Sequence, residues 1–227
     1  MAWFPDLYRS AVGKKAVMAA TGIVLFGFVL GHLIGNLKLY LGPEAINTYA
    51  DFLRRAGEPV LPAGVLLWSV RLVLILSVLL HVDAAWRLTR MSRAARPRRY
   101  LAPTRIHTAY ASRTMRWGGV IILLFVIYHL LHFTWGAVHP SFVAGDVYHN
   151  VVTGFQVWWV AAFYIAAQVA LGFHLYHGLW SLFQSLGWNH PRFNLWRDGF
   201  AHAFAWIITL GNVSFPLAVL GGLIRLG

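Results

Sequence analysis

The stretch Gly172-Phe173-His174-Leu175-Tyr176-His177-Gly178-Leu179-Trp180-Ser181 places two histidines toward the end of a long apolar run, 157–183. That run exceeds the roughly 20 residues that a helix needs to cross the hydrocarbon core of a bilayer. Histidine is costly and rare at membrane depth, and where it occurs it usually performs chemistry or binds a cofactor. The stretch therefore predicts a membrane-spanning helix that carries a functional site.

The whole chain has the composition of a membrane protein. Of its 227 residues 59% are hydrophobic and 11% are charged, against about 25% charged residues in soluble domains. Five apolar runs are long enough to span a bilayer, at about 16–41, 63–88, 117–139, 155–183 and 200–225. The first run lacks the cleavage site of a signal peptide and is expected to remain as the first helix. We predict a single all-α integral membrane domain, 1–227, with five transmembrane helices.

The net charge of +12 is distributed unevenly along the chain. Nine arginines fall at the end of the second predicted helix or between it and the third, and further basic residues lie in the N-terminal segment and between the fourth and fifth helices. The positive-inside rule then places the N-terminus and these two loops in the cytoplasm. Contact with anionic lipid headgroups accounts for most of the charge, so a nucleic acid partner is not expected.

Histidines also occur at membrane depth in the other predicted helices, as His32, His81 and the pair His129/His132. At a rise of about 1.5 Å per residue, His81 and His174 lie roughly 10 and 13 Å from the inner edge, and His129 and His32 roughly 18 and 24 Å. The four therefore form an inner pair and an outer pair, and each pair joins two helices. Helix bundles hold haem between two such imidazoles.

Packing and zinc ligation are the competing explanations for these histidines. A lone histidine in a helix is most often a hydrogen-bonded packing residue. Here four histidines lie on four different helices and pair by depth, which packing alone does not explain. An unpartnered imidazole costs several kcal/mol in hydrocarbon, and the chain has only seven acidic residues to offer as partners. Zinc requires tightly clustered ligands. With no cysteine available as an iron ligand, we predict two b haems within the first four helices.

Helical spacing alone does not decide which histidines are the ligands. His129 and His132 are three residues apart, as are His174 and His177, so each pair shares one broad helix face. Either member could reach an iron, and the other could bind a haem propionate, a backbone carbonyl or a water. Gly178, four residues after His174, leaves room for a ring on that face and favours His174.

The chain resembles the dihaem, five-helix cytochrome b membrane anchor of succinate dehydrogenase and fumarate reductase, respiratory complex II. The resemblance covers nearly the whole chain, and the fourth-helix motif is its most specific part. It is carried by Gly31-His32, Leu80-His81, Phe125-Val126-Ile127-Tyr128-His129, the stretch 173–181 and the loop Gly42-Pro43-Glu44-Ala45-Ile46-Asn47.

The resemblance implies which histidines bind haem. It implies His174 rather than His177 and His129 rather than His132, and it implies the pairing obtained from depth. Some fumarate reductase relatives carry a glutamate two residues before the fourth-helix ligand, associated with transmembrane proton movement. This chain has Gly172 at that position and departs from the pattern.

The resemblance also implies a function in electron transport and the tricarboxylic acid cycle. The chain would anchor a cytoplasmic iron–sulfur subunit and a flavoprotein subunit to the bacterial inner membrane, with the dicarboxylate chemistry on those partners. Electrons would pass through the inner haem (His81, His174) and the outer haem (His32, His129) to a quinone, with menaquinone expected. A higher oligomer of the complex is left open.

Two further predictions concern the outer half of the membrane. Arg71 lies below the membrane surface, where a charge needs a partner; a haem propionate would serve, and so would extension of the side chain to the interface. Candidate quinone-contacting residues near the outer haem are Asn36, Tyr40, Asp51 and Trp135, although interfacial aromatic residues are normally membrane anchors.

Two other functions fit parts of the pattern. One is a dihaem cytochrome b subunit of a hydrogenase or formate dehydrogenase; the order of the histidines and the small outer loops favour complex II. The other is a haem-free transporter or anchor in which histidines relay protons. No inverted repeat or pair of broken helices supports a transporter.

Overall fold

The computed structural model describes residues 8–95, 106–188 and 190–227, and the side chains of these residues except 106–114. The arginines of the predicted connector at positions 96, 98, 99 and 105 lie outside the described residues. The described helices are α1 (Ala11–Asn36), α2 (Pro43–Arg55), α3 (Val65–Ala94), α4 (Ile106–His129), α5 (Val147–Gln156), α6 (Trp158–Ser185) and α7 (Pro191–Leu220).

Five of these helices are long and apolar enough to cross a membrane, which confirms the predicted all-α class and number of spans. They are α1, α3, α4, α6 and α7. Large apolar side chains point outward from them; Leu72 is 61% exposed, Leu79 63% and Leu124 61%. In a bilayer these surfaces meet lipid chains, so their exposure carries no hydrophobic cost.

The third span differs from its predicted range of 117–139. Helix α4 begins at Ile106, and it is followed directly by a π-helical turn, Leu130–Thr134. The turn closes with a hydrogen bond from the Trp135 amide to the Leu130 carbonyl, 2.9 Å. Gly136 follows at φ 71°, a conformation that favours glycine, and the helix cannot continue through it.

The fourth and fifth predicted spans also have different bounds. The fourth starts at Trp158, because Val157 adopts an extended conformation (ψ 99°) and separates α5 from α6. The fifth, predicted at 200–225, is α7 at Pro191–Leu220. Proline suits the first position of a helix, and the His190 side chain accepts a hydrogen bond from the Arg192 amide, 3.2 Å. The segment between the fourth and fifth predicted spans is therefore helical from Pro191 onward.

The spanning helices pack in couples. The closest contacts join α1 to α3, α4 to α6, and α6 to α7. Polar contacts at the opposite end of the bundle from α2 and α5 reinforce two of these arrangements. The Tyr8 hydroxyl donates to Asp83 of α3, and the Tyr176 hydroxyl of α6 donates to Asp198 of α7, 3.0 Å.

A layer formed by α2 and α5 lies at the end of the bundle where α1 ends and α3 begins. Helix α2 starts at Pro43, so most of the segment 42–47, expected as a loop, is helical. The Asn47 amide of α2 donates to the Asp146 carboxylate at the start of α5, 2.9 Å, and the Tyr148 amide donates back to the Asn47 side-chain oxygen, 3.1 Å. Asp146 caps α5 by accepting from the His149 amide, 2.9 Å. These contacts hold the two short helices together.

Candidate functional site

Two pairs of histidine rings face each other between the spanning helices. The rings of His32 on α1 and His129 on α4 have centroids 6.0 Å apart and planes at 88°. The rings of His81 on α3 and His174 on α6 have centroids 6.3 Å apart and planes at 62°. The structure thus brings together the same histidines that sequence depth grouped as an outer and an inner pair.

Each histidine pair spans the space between two helix couples. Helices α1 and α3 form one couple and α4 and α6 the other, whereas His32–His129 links α1 to α4 and His81–His174 links α3 to α6. The helices joined by a pair make few close backbone contacts with one another among the described residues. A flat macrocycle between two facing imidazoles requires the two helices that carry them to stand apart in this way.

The spacing of the rings fits an iron bound on both sides. Metal–imidazole bonds of about 2 Å, with about 1 Å from each nitrogen to its ring centre, place the two ring centroids roughly 6 Å apart. The described side-chain hydrogen bonds of His81 and His129 are made through Nδ1, so Nε2 is the nitrogen that fits a metal-bound state in these two residues. His81 and His174 also hydrogen-bond backbone groups, at Met18 and Met115.

The Nδ1 atoms on the far sides of the rings have different surroundings. His81 Nδ1 lies 3.1 Å from the Thr21 hydroxyl, and His129 Nδ1 lies 3.4 Å from the Tyr164 hydroxyl. His174 Nδ1 is buried without a hydrogen-bond partner among the described residues. Metal-bound histidines commonly donate their second N–H to a neighbour that fixes the ring, and two of the four have such a neighbour.

The alternative histidines have other contacts. His132 is fully buried; its Nδ1 lies 3.0 Å from the Tyr164 hydroxyl, and its ring stacks on His139 at 4.8 Å. The His177 ring lies 5.0 Å from that of its neighbour Tyr176. Within the described residues, no ring contact joins His132 or His177 to a histidine across the gap between the helix couples.

A comparison with protein families identifies the chain. The model of the succinate dehydrogenase/fumarate reductase transmembrane subunit matches residues 89–212. The chain belongs to this transmembrane subunit family. No curated protein and no solved structure matches it. The matched segment contains His129 and His174, whereas His32 and His81 precede it.

The transmembrane subunit has Gly172 in close contact with α7. A Cβ atom added at Gly172 would collide with the side chain of Thr209. The position that carries a glutamate in some resembling proteins is therefore occupied here by a helix–helix contact, and a longer side chain does not fit without rearrangement. This packing gives a physical reason for glycine at that position.

The predicted quinone residues of the subunit are dispersed. The Tyr40 hydroxyl donates to Ser214 on α7, 2.7 Å, and Trp135 is 65% exposed. Asp51 forms exposed ion pairs on its own helix, and Asn36 is the last residue of α1. Among the described contacts, no hydrogen bond, ion pair or ring contact joins any two of the four, so they do not form one cluster.

Arg71 lies near the start of α3, with its guanidinium 4.9 Å above the ring of Trp68. This cation–π contact gives the charge a partner within its own helix.

An apolar cavity of about 360 Å³ opens beside helix α3, lined by Val24 and Phe28 of α1 and by four residues of α3. The Phe28 ring stacks on His32 at 5.3 Å, so this cavity borders the outer histidine pair.

Thr21 and Tyr164 contact the paired histidines but were not predicted from the sequence. Each is a single residue within an apolar run, and neither stands at a spacing that marks a ligand. Only the packing of α1 on α3 and of α4 on α6 brings their hydroxyls to the histidine rings. No pattern in the sequence indicates these contacts.

Proposed function

We propose that this subunit is the dihaem cytochrome b anchor of a succinate:quinone oxidoreductase. The observation that carries the proposal is the pair of facing imidazoles at each of two depths, with centroids 6.0 and 6.3 Å apart. Membership of the succinate dehydrogenase/fumarate reductase family supplies the enzyme complex, and the facing histidines supply the reason to expect two b haems in it.

In this proposal His81 and His174 hold the inner haem, and His32 and His129 hold the outer one. When bound, the haems supply one-electron transfer between the iron–sulfur subunit and a quinone. The chain holds the imidazoles at fixed separation, and the buried ring of Phe125, next to His129, helps to exclude water from the outer pair. Tyr164 contacts the far side of His129 and orients that ring.

The basic segments give the proposed orientation in the bacterial inner membrane. The N-terminus, the connector between α3 and α4, and the segment between α6 and α7 face the cytoplasm. The iron–sulfur and flavoprotein subunits bind on that side, next to the His81–His174 pair. A quinone, with menaquinone expected, binds near the outer pair. Asn36, Tyr40, Asp51 and Trp135 stay predictions for its site, as do His132, His177 and Arg71 for contacts with haem propionates.

The test is to purify the subunit with its native partners in detergent and record dithionite-reduced minus oxidised spectra. We expect about two b-type haems per chain, with an iron–sulfur protein and a flavoprotein present in the same preparation. A complete complex without haem would contradict the dihaem assignment and would favour a haem-free anchor. Haem with a hydrogenase or formate dehydrogenase as partner would contradict the complex II assignment.

A further inference from the structure

The Thr21 side chain lies against His81 where α1 packs on α3. Thr21 is 7% exposed, and its Oγ1 is 3.1 Å from His81 Nδ1. Gly22 is the next residue on α1, and a Cβ added there would be in ordinary contact with His81 Cε1 at 3.7 Å. Helix α1 therefore approaches the back of this imidazole closely.

The hydrogen bonds of Thr21 determine which atom carries the proton. Its hydroxyl oxygen is 2.7 Å from the Val17 carbonyl and 3.2 Å from the Met18 carbonyl. A carbonyl oxygen only accepts, and a hydroxyl has one proton to donate. Since that proton is directed to the carbonyls of α1, the Thr21 oxygen accepts from His81. The bond to His81 is therefore Nδ1–H to Oγ1, beside the hydrogen bond that His81 makes with the Met18 backbone, and His81 Nε2 carries the lone pair.

We propose that Thr21 is a positioning residue for the inner haem site: it fixes the tautomer and the ring orientation of His81 so that Nε2 faces His174. This inference rests on the proposed function, because it assumes that His81 is an iron ligand. A second hydrogen bond of this kind also increases the basicity of the ligand. An imidazole that donates more electron density favours the oxidised iron and lowers the reduction potential.

The two histidines of the inner pair differ in whether a hydroxyl group contacts their Nδ1 atom. His174 Nδ1 has no hydrogen-bond partner among the described residues, so Thr21 provides the only hydroxyl described behind either ring of the inner pair. At the outer pair the Tyr164 hydroxyl is more distant from His129, at 3.4 Å, and lies closer to His132, at 3.0 Å. Loss of the Thr21 hydroxyl should therefore alter the inner haem and leave the outer one unchanged.

Three variants separate the hydroxyl from the packing of Thr21. Thr21→Val keeps the branched shape and removes the acceptor, whereas Thr21→Ser keeps the acceptor and removes the methyl group. Thr89→Val on α3 is the matched control, because among the described residues the Thr89 hydroxyl bonds only the Ala85 carbonyl of its own helix, 2.8 Å. Each variant is purified as the complete complex, and haem content, reduction potentials and low-temperature electron paramagnetic resonance spectra are recorded.

In Thr21→Val we expect the inner haem to shift to higher potential with altered resonance lines, or to be lost. Thr21→Ser and Thr89→Val should match the wild type. Unchanged potentials and spectra in Thr21→Val would overturn the inference, and so would equal defects in Thr21→Val and Thr21→Ser, because the methyl group would then be the part that matters. Wild-type complex without haem would instead overturn the proposed function, and the two failures are thus distinguished.

Discussion

At the scale of single residues, the structure separates histidines that the sequence left equivalent. His129 and His132 share one broad face in an ideal α-helix, but His132 belongs to the π-helical turn Leu130–Thr134. A π-turn contains more residues than an α-turn, so spacing based on 3.6 residues per turn does not hold beyond His129. The depth pairing could be predicted from the sequence; the direction of each ring could not.

The Tyr164 hydroxyl contacts both His129 and His132. We expect Tyr164→Phe to lower the free energy of unfolding by about 1–3 kcal/mol, because it leaves the buried His132 Nδ1 without its partner. The outer haem should shift in potential and the inner haem should not. Thermal unfolding of the purified complex and a redox titration measure the two effects. Tyr128→Phe is the control, since no hydrogen bond of the Tyr128 hydroxyl is described; equal effects in both variants would contradict the role of Tyr164.

Gly154 on α5 has no room for a side chain. A Cβ atom there would lie 2.9 Å from His132 Cε1 and 3.0 Å from Phe133 Cε1. Gly154→Ala should therefore destabilise the protein by about 1–3 kcal/mol through overpacking, seen as a lower midpoint of thermal unfolding. Gly199→Ala on α7, where a Cβ meets nothing within 4 Å, should be neutral or slightly stabilising. A neutral Gly154→Ala would mean that His132 moves freely.

At the scale of elements, the sequence predicted which helices span the membrane better than it predicted the residues at which they begin and end. Hydrophobic length identifies a span, but helices continue beyond the apolar part when capping and packing allow. Helix α7 starts at Pro191, well before its apolar section, and ends where Gly222 adopts φ 72°. The break at Val157 lies within the predicted span 155–183 and next to a single polar residue, Gln156, so hydropathy alone did not separate α5 from α6.

The contact between α2 and α5 should depend on pH through Asp146. The His149 amide and the Asn47 side chain both donate to this carboxylate, and they lower the pKa of Asp146 below its ordinary value. A carboxyl with a lowered folded-state pKa contributes stability above its unfolded value of about 3.9 and loses that contribution as pH falls through the folded value.

We therefore expect proteolysis of the layer formed by α2 and α5 to increase as pH falls below about 4, near the ordinary aspartate pKa. Asp146→Ala should cost about 1 kcal/mol at neutral pH through loss of the helix cap and should weaken the pH dependence. Limited proteolysis with an acid-stable protease, followed by mass spectrometry, measures this. The same pH dependence in Asp146→Ala as in the wild type would show that another group is responsible.

At the scale of the whole molecule, the distribution of basic residues predicts the orientation in the membrane. The chain has no cysteine, so single cysteines can be introduced and labelled without background. Ser92→Cys, at the basic end of α3, should react with a membrane-impermeant maleimide only after the membrane is opened. Ala144→Cys, in the loop before α5, should react in spheroplasts. The opposite labelling pattern would contradict the cytoplasmic placement of the N-terminus and of the basic segments.

The central claim is that four histidines hold two haems in specified pairs. The most direct measurement is the haem content and redox titration of the purified complex with single alanine substitutions. His81→Ala and His174→Ala should each lose the same haem, His32→Ala and His129→Ala should each lose the other, and His132→Ala and His177→Ala should retain both. Loss of different haems within a predicted pair, or haem loss only in His132→Ala or His177→Ala, would contradict the assignment.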